Sequence, residues 1–219
     1  MKFEIISLYL RLIKIIAMAI KINLEKTESI LFCSSKWWGD PDMPEDMEYP
    51  FADDCPLTFI CQIACEDIAP YDPDGLLPHE GMLYVFAAVD EYAGYESPLH
   101  NGIGLWPKKQ AVVKYTKAIN FETFRSVIFE DEDGNPITEP ALKMTFEACP
   151  DGADCTKLLG RPFFSEVLQE LPGCVNFLQI DSDTAGLQFY DEGQLNLLYT
   201  AADLAAGKWK LVKCYMSSL

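Results

Sequence analysis

Histidine is scarce in this sequence, and the familiar catalytic signatures are missing. His79 and His100 are the only two histidines in 219 residues, and neither lies close to a cysteine. The eight cysteines contain no Cys-x-x-Cys pair, so their spacing is poor for a zinc site. No G-x-S-x-G, H-E-x-x-H or P-loop motif is present. These absences exclude the best-known sequence signatures of serine hydrolases, zinc proteases and nucleotide-binding proteins, and we predict that both histidines lie on the surface.

Basic residues are also few. The chain has 17 Lys and Arg against 34 Asp and Glu, which gives a formal net charge of −17. Residues 1–30 hold five of the basic and three of the acidic side chains, so the rest holds 12 basic and 31 acidic ones. A body this acidic repels nucleic-acid phosphate, so we expect no nucleic-acid partner, and it steers a basic protein toward itself. The alternative is that the acids only keep the surface solvated.

The sequence has no long uninterrupted apolar run. Arg11 and Lys14 break the apolar stretch at the start of the chain, which argues against a signal peptide and against a membrane-spanning helix. Polar side chains recur there at helical spacing and leave a wide apolar face. We predict an amphipathic helix over residues 1–18, packed on a single α+β domain over residues 19–219. Attachment of the helix to a membrane surface is the less favoured alternative, and a third is that the true start is Met18.

The cysteines indicate a reducing compartment. Most of them lie inside apolar runs, where a free thiol behaves as a small hydrophobic group. This pattern predicts a reduced, cytoplasmic protein. Cys149 and Cys155 flank a Pro-Asp-Gly-Ala-Asp loop and are the pair to consider for a disulfide or a metal.

Short strands dominate the pattern of apolar residues. Residues 142–146 alternate cleanly, with Leu142 and Met144 on one face, as in a half-exposed antiparallel strand. Predicted helices are short and fall late in the chain, over residues 163–170 and 201–206. The sequence therefore predicts an α+β fold with a mainly antiparallel sheet and a few short helices. The other predicted strands are residues 19–24, 29–33, 57–63, 81–88, 111–116, 125–129, 175–180, 194–199 and 208–216, with a bulge at Val212 and a loop over residues 35–50.

Two stretches of the chain echo each other. Residues 57–63 read LTFICQI and residues 175–183 read VNFLQIDSD, so each places a Gln-Ile pair within an apolar strand. Each pair is followed by a loop, then by Glu-Gly-x-Leu and another strand. We therefore predict two pseudo-repeated hairpin units, with Gln62 and Gln179 at equivalent places. A buried amide left unpaired costs about 1–3 kcal/mol, so both glutamines should hydrogen-bond to backbone groups in the core.

Five motifs follow one another along the chain in a set order. They are SKWWGDP at residues 35–41, PLTFICQI at 56–63, LLPHEGMLYVF at 76–86, FLQIDSD at 177–183 and DEGQLNLLY at 191–199. This ordered set resembles the YwqG-like family, known as domain of unknown function 1963, over about residues 20–216. Two motifs depart from the family pattern: Trp38 stands where a glycine is usual, and Phe189-Tyr190 replaces Trp-Gly. The resemblance implies an α+β fold with no assigned enzymatic activity and, in bacteria, an immunity or antitoxin-like binding role.

Acidic side chains follow the second Gln-Ile pair. Asp181 and Asp183, with Asp191 and Glu192 nearby in sequence, are a candidate site for Ca²⁺ or Mg²⁺, which carboxylate oxygens bind. The alternative is an acidic turn that only ends the strand.

The motif SKWWGDP and the residues after it offer a second candidate site. Lys36, Trp37 and Trp38 form either an aromatic and cationic patch for a ligand or a tryptophan pair that covers the sheet. Because adjacent side chains of an extended chain point opposite ways, we expect one tryptophan to be buried and the other exposed. The acids that follow are either a docking surface for a basic protein or a solvated loop. They are Asp40, Asp42, Glu45, Asp46, Glu48, Asp53 and Asp54.

These observations favour a non-enzymatic, acidic protein-binding module whose partner is a basic protein such as a toxin. The alternative is an enzyme that binds a small molecule or a divalent metal near Gln179, Asp181, Asp183 and Lys36. No cofactor is predicted apart from Ca²⁺ or Mg²⁺ in that alternative. The candidate contact residues for a partner or ligand are Lys36, Trp37, Trp38, Gln62, Gln179 and Asp191.

Overall fold

The computed structural model describes residues 18–89 and 101–218, and strands dominate that part of the chain. Helices α1 (Cys65–Ile68), α2 (Ser165–Glu170) and α3 (Ala201–Ala205) are all short. This confirms the predicted α+β class with a mainly antiparallel sheet. The strands are β1 (Met18–Glu25), β2 (Lys36–Trp37), β3 (Asp42–Pro44), β4 (Phe51–Ala52), β5 (Cys55–Pro56), β6 (Thr58–Ala64), β7 (Met82–Ala87), β8 (Gly104–Leu105), β9 (Ala111–Thr116), β10 (Phe124–Ser126), β11 (Leu142–Pro150), β12 (Lys157–Leu158), β13 (Cys174–Asp181), β14 (Gln194–Thr200) and β15 (Lys213–Ser217).

Eleven of these strands form one sheet in the order β8-β15-β14-β13-β12-β1-β11-β2-β6-β7-β9. Every neighbouring pair in it is antiparallel. The central pair is β1 and β11. Outward from it lie β12, β13, β14, β15 and β8 on one side and β2, β6, β7 and β9 on the other. We call the first set the C-terminal half of the sheet and the second set the N-terminal half.

The sheet curls until its two ends approach each other. Strand β8 lies at one end and β9 at the other, yet only residues 106–110 separate them in the chain, a span of about 20 Å at most. The 3₁₀ turn Trp209–Leu211 packs between the ends, because the Trp209 ring lies 5.8 Å from Tyr115 in β9 and 6.1 Å from Tyr199 in β14. Apolar side chains of both halves therefore share one core.

A glycine lies immediately before the second strand of each hairpin, at the Glu-Gly-x-Leu motif. A Cβ atom on Gly81 would lie 2.1 Å from the carbonyl oxygen of Thr116, and one on Gly193 would lie 2.1 Å from that of Phe189. Only glycine allows the backbones to come this close. The two motifs thus serve the same packing need at the starts of β7 and β14.

Several predicted elements differ from the structure. Residues 29–33 form no strand, because Cys33 has a left-handed φ of 51° and its N–H donates to the Asp42 carboxylate. The predicted loop over residues 35–50 contains β2 and β3, which are too short to show periodicity in sequence. No bulge lies at Val212. The alternation breaks there because a 3₁₀ turn ends and β15 begins, and the register shifts fall instead in β6 and β13.

Two predictions concern residues outside the described part of the chain. The predicted amphipathic helix covers residues 1–18. Of these, residues 1–17 lie outside the described part of the chain, and Met18 begins β1. His100 also lies outside it. Among the described residues, no helix has the length and apolar character needed to cross a membrane.

Candidate functional site

Lys36 and Asp42 form a buried ion pair. The lysine Nζ lies 2.7 Å from Asp42 Oδ2, and the two side chains are only 7% and 1% exposed. The same carboxylate accepts hydrogen bonds from the Cys33 N–H at 2.8 Å, Gln62 Nε2 at 2.8 Å and Ser126 Oγ at 2.6 Å. A buried charge is tolerated only when partners of this kind satisfy it. The pair therefore fixes the fold of residues 33–42 beneath the surface.

Gln62 completes this network. Its Oε1 accepts the Asp42 N–H at 2.8 Å, and its Nε2 donates to the Ser34 carbonyl at 3.0 Å. Tyr84 in the neighbouring strand donates its hydroxyl to the Asp42 carbonyl at 2.7 Å. The expectation that this buried amide bonds to backbone is confirmed. Gln62 is fully buried and holds the turn after β2 against the sheet.

Gln179 performs the same task in the C-terminal half. Its Oε1 accepts the Phe163 N–H at 3.0 Å, and its Nε2 donates to the carbonyls of Cys155 at 2.9 Å and Ala153 at 3.2 Å. It pairs with Lys157 across the sheet as Gln62 pairs with Lys36. Since β1 and β11 separate these two places, Lys36 and Gln179 belong to different clusters.

Lys157 is a buried lysine that forms no salt bridge among the described residues, although Asp151 and Asp154 are close enough to favour its charged form. It is fully buried, and its Nζ donates to the carbonyls of Asp151 at 2.8 Å and Ala153 at 2.7 Å. Burial lowers the pKa of this amine, because desolvation disfavours the charged form. Backbone carbonyls thus do here what the Asp42 carboxylate does for Lys36.

A motif missed in the sequence accounts for this likeness. Residues 35–41 read SKWWGDP and residues 156–162 read TKLLGRP. In both, the third residue after the Ser or Thr has a left-handed φ, 60° at Trp38 and 59° at Leu159. The N–H of that residue donates to a neighbouring strand in both motifs, from Trp38 to the Ile60 carbonyl at 3.0 Å and from Leu159 to the Phe177 carbonyl at 3.2 Å. The hydroxyl that opens each motif accepts a backbone N–H at 2.9 Å, Ser35 from Ala64 and Thr156 from Asp181.

The carboxylates of Asp181 and Asp154 share one hydrogen-bond donor. Gln194 Nε2 donates to Asp181 Oδ1 at 2.9 Å and to Asp154 Oδ1 at 2.6 Å. Burial raises the pKa of Asp181, and the neighbouring Asp154 and Asp183 raise it further. Asp183 and Asp191 are exposed. Among the described residues, no three Asp, Glu, His or Cys side chains come together as a metal site would require.

Both tryptophans are buried, so the prediction that one is exposed is wrong. Trp37 is 0% and Trp38 5% exposed. The left-handed φ of Trp38 breaks the extended alternation, and its Nε1 then donates to the Ala185 carbonyl at 3.0 Å. Trp38 covers the sheet and forms part of a surface groove.

An apolar groove of about 190 Å³ lies beside Trp38. Its walls come from two segments, residues 38–59 and 127–141. They are joined by the Gly39 N–H, which donates to the Glu139 carbonyl at 2.9 Å, and by Thr138 Oγ1, which donates to Asp40 Oδ1 at 3.2 Å. Side chains that line it include Trp38, Pro41, Tyr49, Phe59, Phe129 and Ile137. Sequence reasoning missed this groove because its walls come from distant parts of the chain.

The acidic cluster lies in residues 40–54, within the segment that supplies Trp38, Tyr49 and Phe59 to the groove, with one correction. Asp42 is buried against Lys36 and therefore contributes nothing to a docking surface. Glu45 makes an exposed ion pair with Arg125 at 3.1 Å. The other exposed members are Asp46, Glu48, Asp53 and Asp54.

The cysteines are all free thiols. Cys149 and Cys155 are half-buried, and burial raises the pKa of Cys149 to about 11. A raised pKa leaves little thiolate at neutral pH, so this thiol is a weak nucleophile.

These features define an acidic α+β domain whose buried charged and amide side chains brace the turns of a curled antiparallel sheet. The family described as Domain of unknown function (DUF1963) matches residues 35–217, so the chain belongs to this family. The match begins at SKWWGDP and ends in β15, and it confirms the resemblance to the YwqG-like family. No curated protein matches the sequence at a significant level.

Proposed function

We propose that this chain is a non-enzymatic binding protein that recognises a basic protein, in the manner of an immunity or antitoxin-like protein that holds a toxin. The observation that carries this proposal is the charge around the groove. Its walls come from residues 38–59 and 127–141, which contain no Lys or Arg; apart from the buried Asp42, the two segments hold six and five acidic residues. A basic surface complements such a site.

Part of the small set of basic side chains is already engaged within the fold, which supports the same proposal. Lys36 and Lys157 are buried. Arg125, Arg161 and Lys208 each lie in an ion pair with an acidic side chain. The field that an approaching protein meets is therefore mainly negative, and it accelerates the encounter with a positive partner.

Salt dependence of association tests the proposal. The partner is captured by crosslinking in the native cell, purified, and mixed with this chain in a stopped-flow instrument. We expect the association rate to fall steeply as salt rises, because screening limits the field to about 8 Å at physiological ionic strength. A rate that does not change with salt contradicts the proposal.

A charge-neutralising variant locates the effect. Asp53 and Asp54 are exposed and have left-handed φ values of 49° and 66°, which asparagine tolerates. The double variant Asp53→Asn, Asp54→Asn should associate more slowly. The control is Glu166→Gln with Glu170→Gln on α2, which removes the same charge away from the groove and should change the rate less.

The contacts of the ionisable groups support a binding role over a catalytic one. Lys36, Asp42 and Lys157 are committed to hydrogen bonds inside the fold. His79 is exposed, and its Nε2 lies 3.5 Å from Asp72 Oδ2, a carboxylate that also accepts backbone N–H groups. This placement suits a surface histidine.

A second candidate function is an enzyme with a divalent-cation site near Asp181. It is favoured by the single amide of Gln194 that holds the carboxylates of Asp154 and Asp181 together. Calorimetry with Ca²⁺ and Mg²⁺, on this chain and on Asp181→Asn, tests it. Absence of both heat and a thermal shift removes this candidate.

We also propose that the two halves of the sheet are pseudo-repeated units, as the paired hairpins predicted. The matching motifs at residues 35–41 and 156–162 and the matching bonds of Gln62 and Gln179 support this. The test is an experimental structure in which one rotation superposes β2, β6 and β7 on β12, β13 and β14. Failure of that superposition rejects the proposal.

We propose that the protein is cytoplasmic, which the eight free thiols support, and bacterial, as the family resemblance implies. The protein is alkylated in intact cells and alkylated again after the chain is denatured. Mass spectrometry should then find every cysteine modified. A disulfide in that sample contradicts the assignment.

A further inference from the structure

The groove beside Trp38 is smaller than a typical small-molecule site. It encloses about 190 Å³, whereas pockets for drug-sized ligands or cofactors enclose about 300–1,000 Å³. Its lining is mainly aromatic rings, prolines and aliphatic side chains. A space of this size and chemistry suits one bulky apolar group.

The walls of the groove are held in place by contacts within the protein. The Tyr49 ring lies 4.9 Å from Phe129 and 5.1 Å from Phe86, and its hydroxyl donates to the Leu57 carbonyl at 2.6 Å. The Val127 N–H donates to the Pro41 carbonyl at 2.9 Å. A site that is already ordered loses less entropy when an apolar side chain enters it.

Acidic side chains also lie at the rim of the groove, although Lys114 donates to the Glu48 carbonyl and Arg125 pairs with Glu45 nearby in the chain. Glu139 lines it, and Asp40 lies beside it, bonded to Thr138 in its wall. No Lys or Arg occurs in either of the two wall segments, residues 38–59 and 127–141. A buried apolar anchor beside positive flanking residues would therefore satisfy both the floor and the rim.

We infer that the groove receives a single aromatic or large aliphatic side chain, flanked by Lys or Arg, from the basic partner. This rests on the proposed function and adds the place and the chemistry of the contact. The acids speed the encounter, and the apolar anchor slows dissociation.

Two labelled peptides test the inference by fluorescence polarisation on the full chain. Both have two lysines on each side of a Gly-X-Gly centre, and X is Trp in one and Ser in the other. We expect the Trp peptide to bind at least about tenfold more tightly, because it buries a large apolar side chain. Added salt should weaken both peptides by a similar factor and leave their ratio unchanged.

A matched pair of variants locates the anchor site. Ile137 lines the groove and is 57% exposed, while Ile103 is 59% exposed and lies outside it, so neither substitution threatens the core. Ile137→Ser should reduce the preference for the Trp peptide and leave the Ser peptide unaffected. Ile103→Ser should change neither.

The outcomes separate the inference from the proposed function. Equal, salt-dependent binding of the two peptides overturns the anchor and leaves the basic partner standing. A Trp preference that survives Ile137→Ser places the anchor elsewhere and also overturns the inference. No binding of either peptide at low salt counts against the basic partner, and the anchor then fails with it.

Discussion

The two halves of the sheet brace their turns with the same hydrogen bonds but with different side chains. In the N-terminal half, the Asp42 carboxylate neutralises Lys36, and Tyr84 bonds to the Asp42 carbonyl. In the C-terminal half, Phe163 occupies the position that matches Asp42, because its N–H donates to Gln179. The Lys157 Nζ there donates to two backbone carbonyls and to no carboxylate among the residues described. The comparison teaches that both halves use a glutamine to maintain the turn, while only the N-terminal half adds an ion pair to the buried lysine.

A second difference lies one strand further out. Tyr84 pairs with Gln62, and Asn196 pairs with Gln179, so the two residues occupy matching places. Asn196 is fully buried, and neither of its amide atoms has a hydrogen-bond partner. The polar layer is therefore complete in one half and incomplete in the other.

The largest effect on stability should come from removing the carboxylate that neutralises Lys36. Asp42→Ala leaves the Lys36 ammonium buried and unpaired, and we expect it to lower the free energy of unfolding by about 3–5 kcal/mol. Urea unfolding measures the loss. Glu147→Gln is the control, because the Lys21–Glu147 pair at 3.0 Å is exposed and should matter far less. Equal losses for the two variants would show that the buried pair adds nothing.

Substitutions at the matching places should have opposite signs. Asn196→Leu removes two buried polar atoms that lack partners, and we expect a gain of about 1 kcal/mol in the free energy of unfolding. Tyr84→Phe removes the bond to the Asp42 carbonyl and should cost about 1 kcal/mol. The urea midpoints of the two variants provide the measurement. If Asn196→Leu is destabilising, the amide has a role that its contacts do not reveal.

The smallest effect concerns pH. The pKa of Lys157 in the folded state lies below the ordinary value of 10.5. Between these two values the unfolded chain binds more protons than the folded chain, so the contribution of this group to stability rises with pH. Relative to Lys157→Met, the wild type should gain stability between neutral pH and about pH 10. A difference that stays constant or shrinks in thermal unfolding would argue against a buried, desolvated amine.

Local patterns predicted much of the sheet. The prediction of residues 111–116 as a strand is confirmed residue for residue. The buried amides were found because an amide inside an apolar run needs partners wherever it lies. The second turn motif was missed, since TKLLGRP keeps only the lysine, the glycine and the proline of SKWWGDP. Their spacing was the available signal.

The candidate site could not be read in the same way. Asp42 was grouped with exposed acids, although it is buried in an ion pair with Lys36. The groove joins residues near Trp38 to Phe129 and Ile137, and no local pattern records a contact between segments so far apart. Such contacts depend on the register of the sheet and on the turns that the glutamines hold.

Alternating apolar residues, two glutamines in apolar runs and a surplus of acid were enough to determine an antiparallel α+β domain with a negative charge, because these properties act over short distances or over the whole chain. Only the tertiary structure decided which charges lie inside, where both tryptophans pack and where the apolar groove beside Trp38 forms. The physical reason is that burial of a charge or a ring depends on the partners that distant strands bring to it.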